Sequence, residues 1–98
     1  MNFKCINKKE AICLMNEAEC IIVDIRDRES YNDGHIDGAI NILYSDMQDF
    51  VDSIDINTNV IVCCYHGNSS KNISKFLSSE GFKNVYSLDG GYENWKIN

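Results

Sequence analysis

Apolar and polar positions along the chain switch repeatedly between a helical and a strand period. Asn7-Lys8-Lys9-Glu10 has the form of a capping box, and Ala11, Ile12, Leu14 and Met15 follow at helical spacing to about Asn16, predicting a first helix. Residues 20–25 are a short β-branched run between polar residues, the pattern of a strand buried on both faces, ending at Asp24-Ile25-Arg26. Residues 28–31 predict a helical turn broken by Asn32-Asp33-Gly34, and residues 39–42 another short strand. Ser45-Asp46-Met47-Gln48 reads as a second capping box, and Met47, Phe50, Val51 and Ile54 at i, i+3, i+4 and i+7 form a core-facing stripe.

The clearest strand is residues 60–64. After Gly67-Asn68-Ser69-Ser70 a helix runs to about Glu80, with Ile73, Phe76 and Leu77 inward and Gly81 as its C′ stop. Residues 85–88 predict a last strand, and an Asp89-Gly90-Gly91 turn leads into a helical turn over residues 92–95. Strands alternating with helices predict an α/β fold with a small, mainly parallel sheet flanked by helices.

Composition narrows this picture. Ninety-eight residues, 44% of them hydrophobic, enclose one modest core, so residues 1–98 are expected to form a single domain that supplies its whole site. No apolar run approaches the roughly 18 residues of a membrane span, and the N-terminus has no apolar signal region, so a cytoplasmic location without membrane contact is expected. Residues 24–55 carry nine acids and two bases within a total charge of -6, an acidic solvated face and the opposite of a nucleic-acid footprint. Five cysteines, none spaced C-x-x-C, support neither a disulfide framework nor a zinc site. Adjacent Cys63 and Cys64, with alpha carbons about 3.8 Å apart, are too close for an ordinary disulfide.

In an open parallel sheet, ligands bind beyond the carboxyl ends of the strands. Of the three loops expected there, residues 26–29, 64–70 and 89–91, only the second contains a nucleophile, Cys64. Gly67 permits a tight turn, successive backbone N–H groups can converge on the Cys64 sulfur, and a helix N-terminus near Ser69 favours a thiolate there. Strand alternation turns Cys63 to the other face, as a packing residue. Cys5, Cys13 and Cys20 are likewise expected to pack.

The segment Cys64-Tyr65-His66-Gly67-Asn68-Ser69-Ser70-Lys71, preceded by an apolar strand, resembles the active-site loop of the single-domain rhodaneses. Val23-Asp24-Ile25-Arg26 with Gly34-His35-Ile36-Asp37-Gly38-Ala39 is similar to that family's first signature, and Val85-Tyr86-Ser87-Leu88-Asp89-Gly90-Gly91 with Trp95 to its terminal one. The resemblance covers residues 4–96, and three motifs in order make it specific. Asp37 departs from the family pattern, which has Pro there; the change alters a turn and removes no reacting group.

The resemblance implies thiosulfate sulfurtransferase activity through a Cys64 persulfide, with cyanide or a cellular thiol such as thioredoxin or glutathione as acceptor and no metal or cofactor. Backbone amides of Tyr65, His66, Gly67, Asn68, Ser69 and Ser70 would hold the anionic sulfur, the Ser69 and Ser70 hydroxyls would add donors, and Lys71 would attract thiosulfate. Asp24 and Arg26 would form a supporting ion pair. The His66 ring is expected at the rim, outside the chemistry, His35 in a buried turn, and Tyr92 and Trp95 over the sheet edge. Phosphatases and arsenate reductases of the same fold use an Arg six positions after the Cys; here that residue is Ser70. The competing expectation is a protein-to-protein sulfur relay or binding module that keeps Cys64 but has little activity on thiosulfate.

Overall fold

Alternating burial along the strands organises the structure, a computed structural model that describes residues 3–97; residues 1, 2 and 98 of the expected 1–98 domain lie outside the described residues. In chain order the elements are β1 (Phe3–Ile6), α1 (Lys8–Glu17), β2 (Cys20–Asp24), α2 (Arg28–Asp33), β3 (Ile40–Asn41), a 3-10 turn (Tyr44–Asp46), α3 (Met47–Ser53), β4 (Asn59–Cys63), α4 (Ser69–Ser79), β5 (Asn84–Leu88) and α5 (Gly91–Ile97). The five strands form a sheet of order β1-β5-β4-β2-β3 in which every pairing is parallel.

On β4, Val60 and Val62 point with Cys64 into one core layer that contains Met47, Phe50, Ile73 and Leu77 from α3 and α4. Ile61 and Cys63 point into the other, with Ala11 of α1 and with Trp95 of α5 packed against it. Both faces of the sheet are covered, which is why its central strands read as continuous apolar runs. No helix among the described residues is long and apolar enough to cross a membrane.

The first capping box is present: the Asn7 side chain accepts from the Glu10 N–H at 2.8 Å, and the Glu10 carboxylate accepts from the Asn7 N–H at 2.9 Å. The second is not. Residues 44–46 turn in a 3-10 helix, and α3 begins at Met47 without a side-chain cap. Gln48 instead donates to Asp52 one turn on. The stripe it was to introduce does face inward, with Met47 and Phe50 buried and Val51 and Ile54 packed against them. At the end of α4, Gly81 at φ +101° carries a two-bond stop, Phe82 N–H to the Leu77 carbonyl and Gly81 N–H to the Ser78 carbonyl, both 3.1 Å.

Edge strand β1 escaped the pattern. It is four residues long with exposed Lys4 and Cys5, too short and polar to show alternation, and it pairs with β5. Cys5 and Cys13 are exposed, and Cys20 is half-buried, so the first two are surface thiols and not packing residues. Ile12, expected on the inner face of α1, is also exposed.

Candidate active site

Cys64 is the first residue beyond β4, and the chain then turns through residues 65–68 into α4. Gly67, at φ +95°, permits that turn; a Cβ there would stand 2.8 Å from the Gly90 nitrogen. The Gly67 N–H donates to the Cys64 sulfur at 3.1 Å and the Ser70 N–H at 3.3 Å. Ser70 is the second residue of α4, and its N–H is one that an N-cap side chain ordinarily accepts from. The Asn68 side chain makes no such bond, and the sulfur takes the capping position. A negative charge on that atom therefore meets two aimed donors and the positive end of an 11-residue helix.

Among the described residues, the amides of Tyr65, His66, Asn68 and Ser69 make no hydrogen bond to the sulfur. The side chains of Tyr65, His66, Asn68, Ser69 and Lys71 are exposed around the loop, whereas Gly67 and Ser70 are buried. The Ser70 hydroxyl, expected to face the sulfur, lies 2.7 Å from the Ser87 hydroxyl instead, because the helix turns it onto the sheet. Sequence reasoning gave Ser87 no role; its signal was a polar residue inside an otherwise apolar strand.

The loop is held from behind. The Tyr92 N–H donates to the Cys64 carbonyl at 2.8 Å and the Glu93 N–H to the Tyr65 carbonyl at 3.1 Å, so the first turn of α5 faces the carbonyl side of the Cys64 peptide. Tyr92 and Trp95, expected to lie over the sheet edge, have more definite places. The Tyr92 ring lies 4.3 Å from the Arg26 guanidinium, and Trp95 receives the Lys8 ammonium, 4.8 Å from its ring and 2.8 Å from its carbonyl oxygen.

Asp24 and Arg26 form a buried ion pair, with Arg26 Nη2 2.8 Å from one carboxylate oxygen and Nε 3.0 Å from the other. Arg26 Nη2 also donates to the Gly34 carbonyl at 2.7 Å. Burial alone would lower the Arg26 pKa; the Asp24 hydrogen bonds and charge outweigh it and raise the guanidinium above its ordinary value. Strand parity puts Asp24 with Ile22 on the α1 and α5 side, the face opposite the Cys64 sulfur. Cys63, paired in register with Asp24, is fully buried there, and burial first, then the Asp24 charge, pushes its pKa up to about 12.

His35 is exposed and not in a buried turn. Its ring stacks on Tyr31 with centroids 3.8 Å apart, and Nδ1 lies 2.7 Å from the Tyr31 carbonyl oxygen. The side chain of Tyr65 reaches α2, with its hydroxyl 3.2 Å from that of Ser30. No group of three His, Cys, Asp or Glu among the described residues could hold a metal ion.

A loop with this geometry can stabilise a sulfur anion with backbone dipoles alone. Comparisons with known proteins point the same way. The thiosulfate sulfurtransferase GlpE of Pseudomonas fluorescens (strain SBW25) is 46% identical over 94 residues, covering 96% of this chain and 85% of that one. Its namesake from Shewanella oneidensis is 48% identical over 82 residues, 83% of this chain and 81% of that one. Among solved structures, a rhodanese-like domain protein from Staphylococcus aureus has a TM-score of 0.82 at 26% identity, covering 94% of this chain and 90% of that one. A human single-domain sulfurtransferase shares the fold at TM-score 0.86 and 18% identity, covering 96% of each chain. Residues 7–98 match the family model of the rhodanese-like domain, and the chain belongs to that family.

Proposed function

We propose that the protein is a thiosulfate sulfurtransferase working through a persulfide on Cys64. The observation that carries this reading is the convergence of the Gly67 and Ser70 N–H groups on the Cys64 sulfur. The Cys64 thiolate attacks the outer sulfur of thiosulfate, a new S–S bond forms, and sulfite leaves with the electron pair of the bond that breaks. An acceptor, cyanide or a thiolate such as that of glutathione or thioredoxin, then attacks the terminal sulfur. Cys64 leaves as thiolate, and the product is thiocyanate or an acceptor persulfide. Neither step needs a metal, a cofactor or an external oxidant.

The persulfide sulfur stands about 2 Å beyond the Cys64 sulfur, because an S–S bond is about 2.05 Å long. The amides of Tyr65, His66, Asn68 and Ser69, which leave the resting sulfur alone, are assigned to meet it. Lys71, exposed in the first turn of α4, draws thiosulfate toward the loop, and the exposed His66 ring stands outside the chemistry. Asp24 and Arg26 hold the strand ends and do not touch substrate. The loop contains no Arg, so the clamp on a tetrahedral phosphoryl group is missing. Residues 1–98 act as one domain, and five free thiols suit a reducing compartment such as the cytoplasm.

The test is the intact mass of the reduced protein after thiosulfate and again after cyanide, beside Cys64→Ser. One added sulfur, removed by cyanide and absent from the variant, is the expected result. An unmodified wild type whose Cys64 still alkylates would overturn thiosulfate as donor in favour of a protein-borne sulfur.

A further inference from the structure

The face of α4 that rests on the sheet carries three serines one turn apart, Ser70, Ser74 and Ser78. The hydroxyls of Ser74 and Ser78 are buried and have no hydrogen-bond partner, whereas the Ser70 hydroxyl meets that of Ser87 on β5 at 2.7 Å. Ser70 and Ser87 are both fully buried. Their contact is therefore a directional tie within a layer of otherwise non-directional packing, and it sits one residue's length from the reacting atom, since the Ser70 N–H points at the Cys64 sulfur.

We propose that Ser87 is a positioning residue for sulfur transfer: through the Ser70 hydroxyl it fixes the first turn of α4, and with it the Ser70 N–H aimed at the Cys64 sulfur. This rests on the proposed persulfide mechanism. The strand geometry favours such a role. Ser87 is the register partner of Val62, two residues before Cys64 on the same face of the adjacent strand, so one rigid sheet holds both the sulfur and the anchor of its donor. The rest of the first turn offers no equivalent, because the Asn68 side chain makes no cap bond and Ser69 and Lys71 are exposed. The donor's aim depends on a hydroxyl that never approaches the substrate, and a donor misaligned by a fraction of an ångström is weaker at the moment charge gathers on sulfur. Ser74 serves as the comparison within the same helix face, a buried hydroxyl with no partner and no link to the loop.

The experiment is a double-mutant cycle of Ser70→Ala, Ser87→Ala and the pair, with Ser74→Ala as control. Readouts are steady-state kcat and KM for thiosulfate, the iodoacetamide alkylation rate of Cys64 at fixed pH by peptide mass spectrometry, and the urea midpoint. Removing a donor outright costs on the order of 100-fold in kcat, so misaligning one through Ser87→Ala is expected to cost roughly 10-fold with KM little changed. Ser87→Ala in the Ser70→Ala background should add nothing further. Slower Cys64 alkylation should accompany the loss, and Ser74→Ala should leave both rates alone. Multiplicative losses in kcat, or a Ser87→Ala enzyme with full kcat, would overturn the inference. If the wild type does not turn over thiosulfate, the mechanism fails, and the alkylation cycle still decides whether Ser87 acts on Cys64 through Ser70. Should Ser87→Ala not fold, Ser87→Cys, similar in size but a weak donor, takes its place in the same cycle.

Discussion

Gly91 offers the sharpest perturbation of the loop from outside it. It is buried at φ +58°, and a Cβ there would press on the Cys64 carbonyl oxygen while lying 2.5 Å from the Tyr65 carbonyl oxygen and 2.6 Å from its carbon. Restoring ordinary contact, about 3.5 Å between heavy atoms, requires backbone to move by on the order of 1 Å. The atoms that must move are the carbonyls that accept from the Tyr92 and Glu93 N–H groups. Gly91→Ala therefore incurs about 1–2 kcal/mol for a left-handed alanine and about 1 kcal/mol for each of two weakened hydrogen bonds. A destabilisation of about 3–4 kcal/mol is expected in urea unfolding. The displaced Cys64 carbonyl carries the sulfur off its amides, and a misplacement of that size costs turnover about 100-fold. Gly38→Ala is the matched control: φ is +85° and an added Cβ meets nothing within 4 Å. It should lose only the conformational part, about 1–2 kcal/mol, with thiosulfate:cyanide turnover intact. If the two variants match in stability and in rate, backbone crowding at Cys64 is the wrong explanation.

Because Cys63 titrates at about 12 when folded and its unfolded thiol near 8.5, the folded state keeps a proton that the unfolded state has lost. Its contribution to stability thus falls by about 1.4 kcal/mol per pH unit as pH rises between those values; Cys63→Ala should flatten the slope relative to wild type in denaturant titrations at pH 8 to 10, and equal slopes would count against it. Asp24→Asn strands the buried Arg26 charge and should cost about 3–5 kcal/mol in urea unfolding. The folded fraction should keep its KM for thiosulfate, since the pair lies across the sheet from the sulfur; a changed KM would place it in the site. Asn7→Ala removes the cap that accepts the Glu10 N–H and should cost about 1 kcal/mol by thermal melt, with no change in turnover.

Legibility in the sequence followed the strength of local signals. β2, β4 and β5 were readable because both faces of each are covered, so apolar runs such as residues 60–64 mark them directly. The loop was readable because Cys64, Gly67 and a helix start stand in tight order. The second capping box failed at Ser45: the spacing was right, but a 3-10 turn occupies residues 44–46 and takes that side chain out of the N-cap position. Edge strand β1 was hidden because its stabilisation comes from pairing with β5, more than 80 residues away, and no local period reports that. The same separation concealed the tertiary partners of the loop residues. The sequence points both the Ser70 amide and its hydroxyl at the sulfur; the N–H lies there at 3.3 Å, whereas the hydroxyl is bound by Ser87.

Cys63 and Cys64 show how much of the proposed chemistry is a property of the fold and not of the residue type. They are adjacent, chemically identical and both buried. The pleat sends Cys63 into the layer that holds the Asp24 carboxylate, where burial and that charge suppress ionisation. It sends Cys64 to the other layer, at a strand end, where the chain must turn and where α4 presents uncapped N–H groups. A one-residue shift in register would turn the Cys64 side chain into the carboxylate layer and away from the aimed amides. The register is held by apolar contacts remote from the reaction: Val60 and Val62 against α3 and α4, Ile61 against the α1 layer. Selection of the nucleophile is thus a consequence of core packing, and substitutions that disturb β4 pairing should impair sulfur transfer even where no loop residue is touched.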